Sequence, residues 1–395
     1  MSVHAVSAGS MELQAFDMVR MQCAYDGDVD YDLSGSGVPS VSLKEVMGSD
    51  DAVRTLLEVE QGYPPTNGSP ELRSAIAAMY ERASADHILV TNGASEANFM
   101  AAWRLFEKGD EVVIIVPNYP QTWNLAESWG MEVRPLPLKE ELGWQFDPED
   151  LKAAVTRRTK AVHVCNPNNP TGAIMASEQR NALIDAVKDS GAWLLADEVY
   201  VGAELGDSRT QSLWGHHEKT LITNGLCKAY GMPGLRIGWL VGTPETLTEI
   251  TCYHDYLTLT HSMLSDHIAR KVLEPERRER ILAKNQEVVR MSCRVFVDWN
   301  EAHGSALAHR SPEAGAMCFV RHPPGLNSSD ISERLRKERS VLVVPGDQLG
   351  MDGYMRIGTA LPKEYLMSGL DRIDDLMRTL KANDPERKID FDCSR

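Results

Sequence analysis

The segment GLCKAYGMPGLRIGW, residues 225–239, places Lys228 just behind an apolar strand and Arg236 beyond a Gly/Pro turn that can fold it back. An amine at the carboxyl edge of a sheet, beside a guanidinium, suits a Schiff-base lysine with a phosphate anchor. Taken by themselves, the two residues read more simply as surface charges. ADEVY, 196–200, closes another apolar run with Asp197, followed by Glu198 and Tyr200. A carboxylate there can ligate a metal, cap a helix or pair with a cationic ring nitrogen. NPNNPTG, 166–172, follows AVHVC and offers amide donors on a proline-stiffened turn; a plain turn accounts for it equally well. TNGASEAN, 91–98, puts Gly93, Ala94 and Ser95 at the start of a helix, where free N–H groups and the helix dipole can cradle a phosphate.

The elements that must hold these groups alternate. Apolar runs at 87–90, 111–117, 161–165, 192–197, 220–224 and 237–242 read as short strands, with helical stretches at 95–106, 121–130 and 177–190. Such alternation predicts a mostly parallel sheet covered on both faces. A further helix begins at Ser69, which can cap it; Pro70 suits the first helical position, and Leu72, Ile76 and Met79 follow at helical spacing. Past about residue 285 the texture becomes that of an α+β lobe, ending in an amphipathic helix near 363–381. DYDLSGSGVPSVS, within an N-terminal arm of about 45 residues, reads as a loop.

Composition narrows the function classes. At 395 residues the chain is too long for one ordinary core. Its formal charge of −16 argues against a nucleic-acid binder. No apolar run approaches the ~20 residues that span a bilayer, and the N-terminus has no secretory pattern. The seven cysteines lack a C-x-x-C pair, so neither a disulfide framework nor a zinc site is suggested. A cytoplasmic enzyme without metal is the expectation.

The ordered motifs from Tyr63 to Arg356, GYPPTNGSPELR, TNGASEA, NPNNPTG, ADEVY, LCKAYGMPGLRIGW and MRIG, resemble those of fold-type I pyridoxal-phosphate enzymes, class I/II aminotransferases. The resemblance implies an α/β fold: a large domain (46–285) with a mostly parallel seven-stranded sheet, a smaller α+β C-terminal domain (286–395), and an arm (1–45) joining the latter. It implies that Lys228 carries pyridoxal 5′-phosphate as an internal aldimine and then moves the α-proton, and that Asp197 keeps the pyridine nitrogen protonated. Asn169 and Tyr200 would bond the ring's phenolic oxygen, and Tyr119 would stack on its face. Gly93, Ala94, Ser95 and Arg236 would grip the phosphate. Arg356 would take the substrate's α-carboxylate by a two-pronged ion pair, with Asn169 also at the substrate; the Gly35-Ser36-Gly37 turn falls where the family places a loop over the substrate, or is a simple linker turn. Tyr63 would reach the phosphate of a neighbouring subunit, which implies a homodimer acting on an α-amino acid and a 2-oxo acid.

Two departures stand out. Gly225 occupies a position where the family usually has a phosphate-binding serine, leaving Thr223 or Ser95 as stand-ins. Cys227 replaces a usual serine or threonine. Dicarboxylate-specific relatives use a second arginine, yet 251–266, with Tyr253, His254, Tyr256, Thr260 and His261, contains no Arg or Lys. The loop at 30–42 also resembles that of outlying members of specialised metabolism, capreomycidine synthase-like and arginine-oxidising enzymes. These would direct the same carbanion to elimination, cyclisation or oxidation.

Overall fold

A computed structural model describes residues 7–8, 11–304 and 306–382. Its large sheet has seven strands: β1 (Ile88–Thr91), β2 (Glu111–Val116), β3 (Glu132–Pro137), β4 (Thr159–Cys165), β5 (Trp193–Asp197), β6 (Thr220–Gly225) and β7 (Gly238–Val241). They lie in the order β1-β7-β6-β5-β4-β2-β3, and all neighbours are parallel except at β7, which is antiparallel to both β1 and β6.

The alternation of side chains explains why the strands read as unbroken apolar runs. Val113, Ile115, Val162, Val164, Leu194 and Ala196 bury into the core on one face. Val112, Ile114, Ala161, Leu195 and Leu221 bury into the core on the other. The expected strands all form, with ends shifted by one or two residues. The strand not foreseen is β3, EVRPLP, which lies at the sheet's edge with most of its side chains partly or fully exposed. Edge placement is what lets Pro135 and Pro137 stay in it. The helix at Pro70–Ala77 starts as expected, the Ser69 hydroxyl accepting from Leu72 N at 3.2 Å, but stops two residues before Met79.

A second sheet, of four antiparallel strands in the order β8-β9-β11-β10, comprises β8 (Ala308–His309), β9 (Met317–Arg321), β10 (Val344–Pro345) and β11 (Tyr354–Gly358). Its own core includes Leu33, Phe296, Cys318, Met355, Ile357 and Leu370. The N-terminal segment reaches this sheet: Tyr31–Asp32 pairs in parallel with Val341–Leu342, and Gly358 N donates to Leu33 O at 2.7 Å. Helix α1 (Asp17–Tyr25) precedes that pairing. Between the two sheets, one helix of 28 residues, Pro275–Ala302, runs unbroken through position 285.

Candidate active site

The carboxyl ends of β4, β5 and β6 lie side by side, with Cys165 opposite Asp197 and Asp197 opposite Thr223. The segments leaving these ends surround a cavity of about 320 Å³, lined among others by Asn169, Asp197, Tyr200, Cys227, Lys228 and Arg236. This is within the usual range of small-molecule sites, roughly 300–1,000 Å³. The opposite wall brings Gln22 of α1, Gly35, Ser36 and Arg356 of β11 to the same space. Ala94, Ser95 and Tyr119 also line it. Two expected residues do not: Gly93 stands behind Arg236, and Tyr63, 83% exposed, lies on the surface.

Asp197 is buried, and burial pushes its carboxyl above the ordinary range. Working against that are Asn98 Nδ2, which donates to Oδ2 at 3.1 Å, Val199 N, which donates to Oδ1 at 3.1 Å, and the Lys228 charge. A cation placed at this carboxylate would favour its charged form. The Lys228 amine donates to Ser36 Oγ at 2.9 Å and lies 5.9 Å from the centre of the Tyr200 ring. The Tyr200 hydroxyl is buried and makes no hydrogen bond of good geometry. Burial raises its pKa, while Arg356 and the nearby Ser36 hydroxyl pull it down.

Arg356 is 1% exposed, yet no carboxylate among the described residues pairs with it. Its Nη1 donates to Asn169 Oδ1 at 2.9 Å and its Nη2 to Ser34 O at 2.7 Å, while Nε has no partner. Burial accordingly lowers its pKa. A buried guanidinium with only neutral acceptors calls for an anion.

At the other end of the cavity, helix α2 (Ala94–Leu105) begins with amides that have no helical carbonyl to bond. Arg236 leans across this start, Nη2 donating to Asn92 O at 3.0 Å. Gly93 takes φ +91°, and a Cβ there would stand 2.9 Å from Arg236 Cζ, so only glycine lets the guanidinium approach. The same crowding explains Gly225: its Cβ would meet Ile237 O at 2.9 Å and Gly238 Cα at 3.1 Å. Of the two hydroxyls that could stand in for a serine there, Ser95 lines the cavity and Thr223 does not. Tyr119 packs on Phe16, ring centres 5.2 Å apart. The set can therefore accommodate a flat phosphorylated ring: an anion end at α2 and Arg236, a carboxylate for a ring nitrogen, and an amine for a carbonyl.

Sequence reasoning gave no role to Asn98 or Gln22, and placed Ser36 only within the turn over the substrate. For Asn98 a signal existed, since it stands four residues after Ala94 and so returns to the same helix face. Residues His254 and His261 turn out to be internal supports: His254 Nδ1 lies 2.9 Å from Thr66 O, and His261 Nε2 lies 2.8 Å from Asp266 Oδ2. Among the described residues, no helix is long and apolar enough to cross a membrane.

The chain is similar to known proteins over most of its length. A model of the family described as "Aminotransferase class I and II" matches residues 43–373. The chain is 33% identical over 351 residues to a capreomycidine synthase of Streptomyces vinaceus, covering 88% of this chain and 90% of that one. It is 31% identical to an aspartate aminotransferase of Streptomyces avermitilis, covering 81% and 82%. Among solved structures, a PLP-dependent aminotransferase from Streptococcus suis superposes with a TM-score of 0.86 at 29% identity, over 93% of this chain and 99% of that one. The chain belongs to the class I and II aminotransferases, and is a pyridoxal-phosphate-dependent enzyme of fold type I.

Proposed function

We propose that the enzyme exchanges an amino group between an α-amino acid and a 2-oxo acid, with Lys228 as its reactive amine and Arg356 as its carboxylate receptor. The observation that carries this reading is the single cavity shared by Lys228, Asp197, Asn169, Tyr200 and Arg356. Pyridoxal phosphate, when bound, supplies an electron-withdrawing ring that stabilises the charge left on Cα as its proton departs. Asp197 would face the ring nitrogen, Asn169 and Tyr200 the phenolic oxygen, Tyr119 a ring face, and Arg236 with the amides of Ala94 and Ser95 the phosphate. Lys228 would accept the α-proton. Arg356 and Asn169, closed over by the Gly35 turn, would orient the amino acid by its carboxylate.

A neighbouring cavity of about 290 Å³ shares Met18 and Tyr119 with the first. Asp17, Glu127 and Asp347 line it together with neutral groups, and among the described residues no Lys, Arg or His does. This supports a neutral or cationic donor side chain over a dicarboxylate.

We also propose a homodimer, with the divisions 1–45, 46–285 and 286–395 as its arm and domains, of which residues 1–6, 9–10, 305 and 383–395 lie outside the described residues. Support for the dimer comes from exposed Tyr63 and from Tyr256, 85% exposed beside Trp103 and Tyr253 at a surface hollow. Free cysteines among the described residues support a reducing, cytoplasmic setting.

The test is a spectral titration of the purified enzyme with a panel of amino acids and no oxo acid. Stoichiometric release of one 2-oxo acid, with loss of the absorbance of lysine-bound cofactor, is expected. The capreomycidine synthase likeness favours a second reading, a lyase, cyclase or oxidase of specialised amino-acid metabolism. Ammonia, peroxide or a cyclised product, with the starting absorbance restored after each turnover, would establish that instead. Lys228→Ala should lack the lysine-bound absorbance altogether; its persistence would overturn the assignment of Lys228.

A further inference from the structure

We propose that Ser36 is a positioning residue for Lys228, holding the free amine in place through both of its protonation states. The proposal rests on the reading of Lys228 as the reactive amine. Lys228 Nζ lies 2.9 Å from Ser36 Oγ, and Ser36 is only 8% exposed, so water competes little for that bond. A base that cycles between NH2 and NH3⁺ needs a neighbour able to change roles with it. A hydroxyl does so by rotating: it accepts from the ammonium and donates to the neutral amine. A carbonyl can only accept. The Tyr200 phenol is close enough to feel the same hydroxyl.

The mounting of Ser36 is rigid where it matters. Leu33 is fully buried, its N–H donating to Leu342 O at 2.8 Å and its carbonyl accepting from Gly358 N at 2.7 Å. Ser34 O accepts from Arg356 Nη2 at 2.7 Å and from Gln22 Nε2 at 3.0 Å. The residue that orients the amine is thus two positions from the carbonyl that holds the carboxylate receptor. A Cβ on Gly358 would collide with Gly35 O, so the loop lies flush against β11.

The experiment compares Ser36→Ala and Ser36→Thr with the parent in two ways. In the full-length apoenzyme, acetylation of Lys228 by acetic anhydride is timed and read by peptide mass. In the holoenzyme, kcat, KM and the isotope effect from Cα-deuterated amino acid are measured. Loss of a hydrogen bond to a charged group corresponds to about 10- to 100-fold. Ser36→Ala should lose that much kcat with KM little changed, raise the isotope effect, and alter the Lys228 labelling rate several-fold. Ser36→Thr should restore all three. Unchanged labelling and isotope effect in Ser36→Ala would overturn the proposal, as would a threonine variant no better than alanine. If Lys228→Ala keeps the lysine-bound absorbance, the underlying reading fails. If it loses that absorbance while Ser36→Ala is silent, only the role of Ser36 fails.

Discussion

The two walls of the cavity are built differently. One is the carboxyl edge of the large sheet, where Asp197 ends, and Asn169 and Lys228 follow, three adjacent strands whose side chains are mostly buried on both faces. The other joins a helix near the N-terminus to a strand near the C-terminus: Gln22 to Ser34, and Ser34 to Arg356, across 322 residues of sequence. In the proposed function the first wall grips the cofactor and the second grips the amino acid. The walls meet where Ser36 accepts from Lys228 and where Arg356 donates to Asn169, so substrate choice can change on the second wall without disturbing the first only where those two bonds are kept.

The largest effects should come from removing one charge from each wall. Asp197→Ala is expected to lower kcat/KM by at least about 10³-fold, mostly in kcat, and to weaken cofactor retention. Arg356→Ala should lower it about 10²- to 10³-fold, mostly through KM for the amino acid, with cofactor affinity preserved. Steady-state kinetics and cofactor dialysis on both variants check this. If Arg356→Ala loses its cofactor as readily as Asp197→Ala, the division between the walls is broken.

The sheet wall also carries buried ionisable groups that titrate in opposite senses. His163 on β4 is held down to about 4 by burial, below its ordinary 6.5. Its contribution to stability is full above pH 6.5 and is lost as pH falls towards 4, a change of about 3 kcal/mol. Glu198 is raised to about 7 from 4.5, chiefly by burial, although Leu213 N and the Ser212 hydroxyl bond its carboxylate. Its contribution is full below pH 4.5 and is lost as pH rises towards 7. Between pH 4.5 and 6.5 the two slopes oppose each other. Relative to the parent, His163→Gln should gain stability as pH falls through that window, and Glu198→Gln should gain it as pH rises. Thermal midpoints at several pH values read both slopes, and parallel curves for parent and variants would show that neither group titrates there.

Gly225→Ser probes whether the missing phosphate-binding hydroxyl can be supplied. The added Cβ meets the β7 backbone at Ile237 and Gly238, so about 1–3 kcal/mol of destabilisation is expected. Cofactor affinity should not improve. A gain in affinity at unchanged melting temperature would show that β7 yields, and that the sheet wall is softer than its packing suggests.

What could be read in advance follows the same division. For Asp197, Asn169 and Lys228 local pattern gave the position, at or just past the end of an apolar run that reads as a strand, while their roles came from the family resemblance. Arg356 was legible only through the family resemblance, since a lone Arg in YMRIG has no local mark of burial. Ser36 was hidden in a stretch that reads correctly as loop; its meaning depends on Lys228, 192 residues later. Strand β3 escaped because its exposed, proline-bearing sequence has neither an apolar run nor clean alternation. Local pattern specifies elements and their ends, whereas contacts between distant segments are set by packing that no window of sequence contains.

The smallest expected effect tests the sheet wall at its finest detail. Asn98, one turn into α2, donates to Asp197 Oδ2, while Val199 N holds Oδ1. Asn98→Ala removes one of two donors from a buried carboxylate, and burial then lifts the carboxyl further. Because the Val199 bond keeps its orientation, the cost should be that of a single hydrogen bond to a charged group, about 1.5–3 kcal/mol at most. A ring cation bound at Asp197 would offset part of it, leaving about a tenfold loss of cofactor affinity and little change in KM for the amino acid. Asn98→Asp should do worse, because a second carboxylate would lie beside the first and one of the two would have to take up a proton. Fluorescence titration of the apoenzymes with pyridoxal phosphate ranks the three proteins. An alanine variant that raised KM and left cofactor affinity alone would place Asn98 with the substrate wall, and the boundary between the two would have to be redrawn through α2.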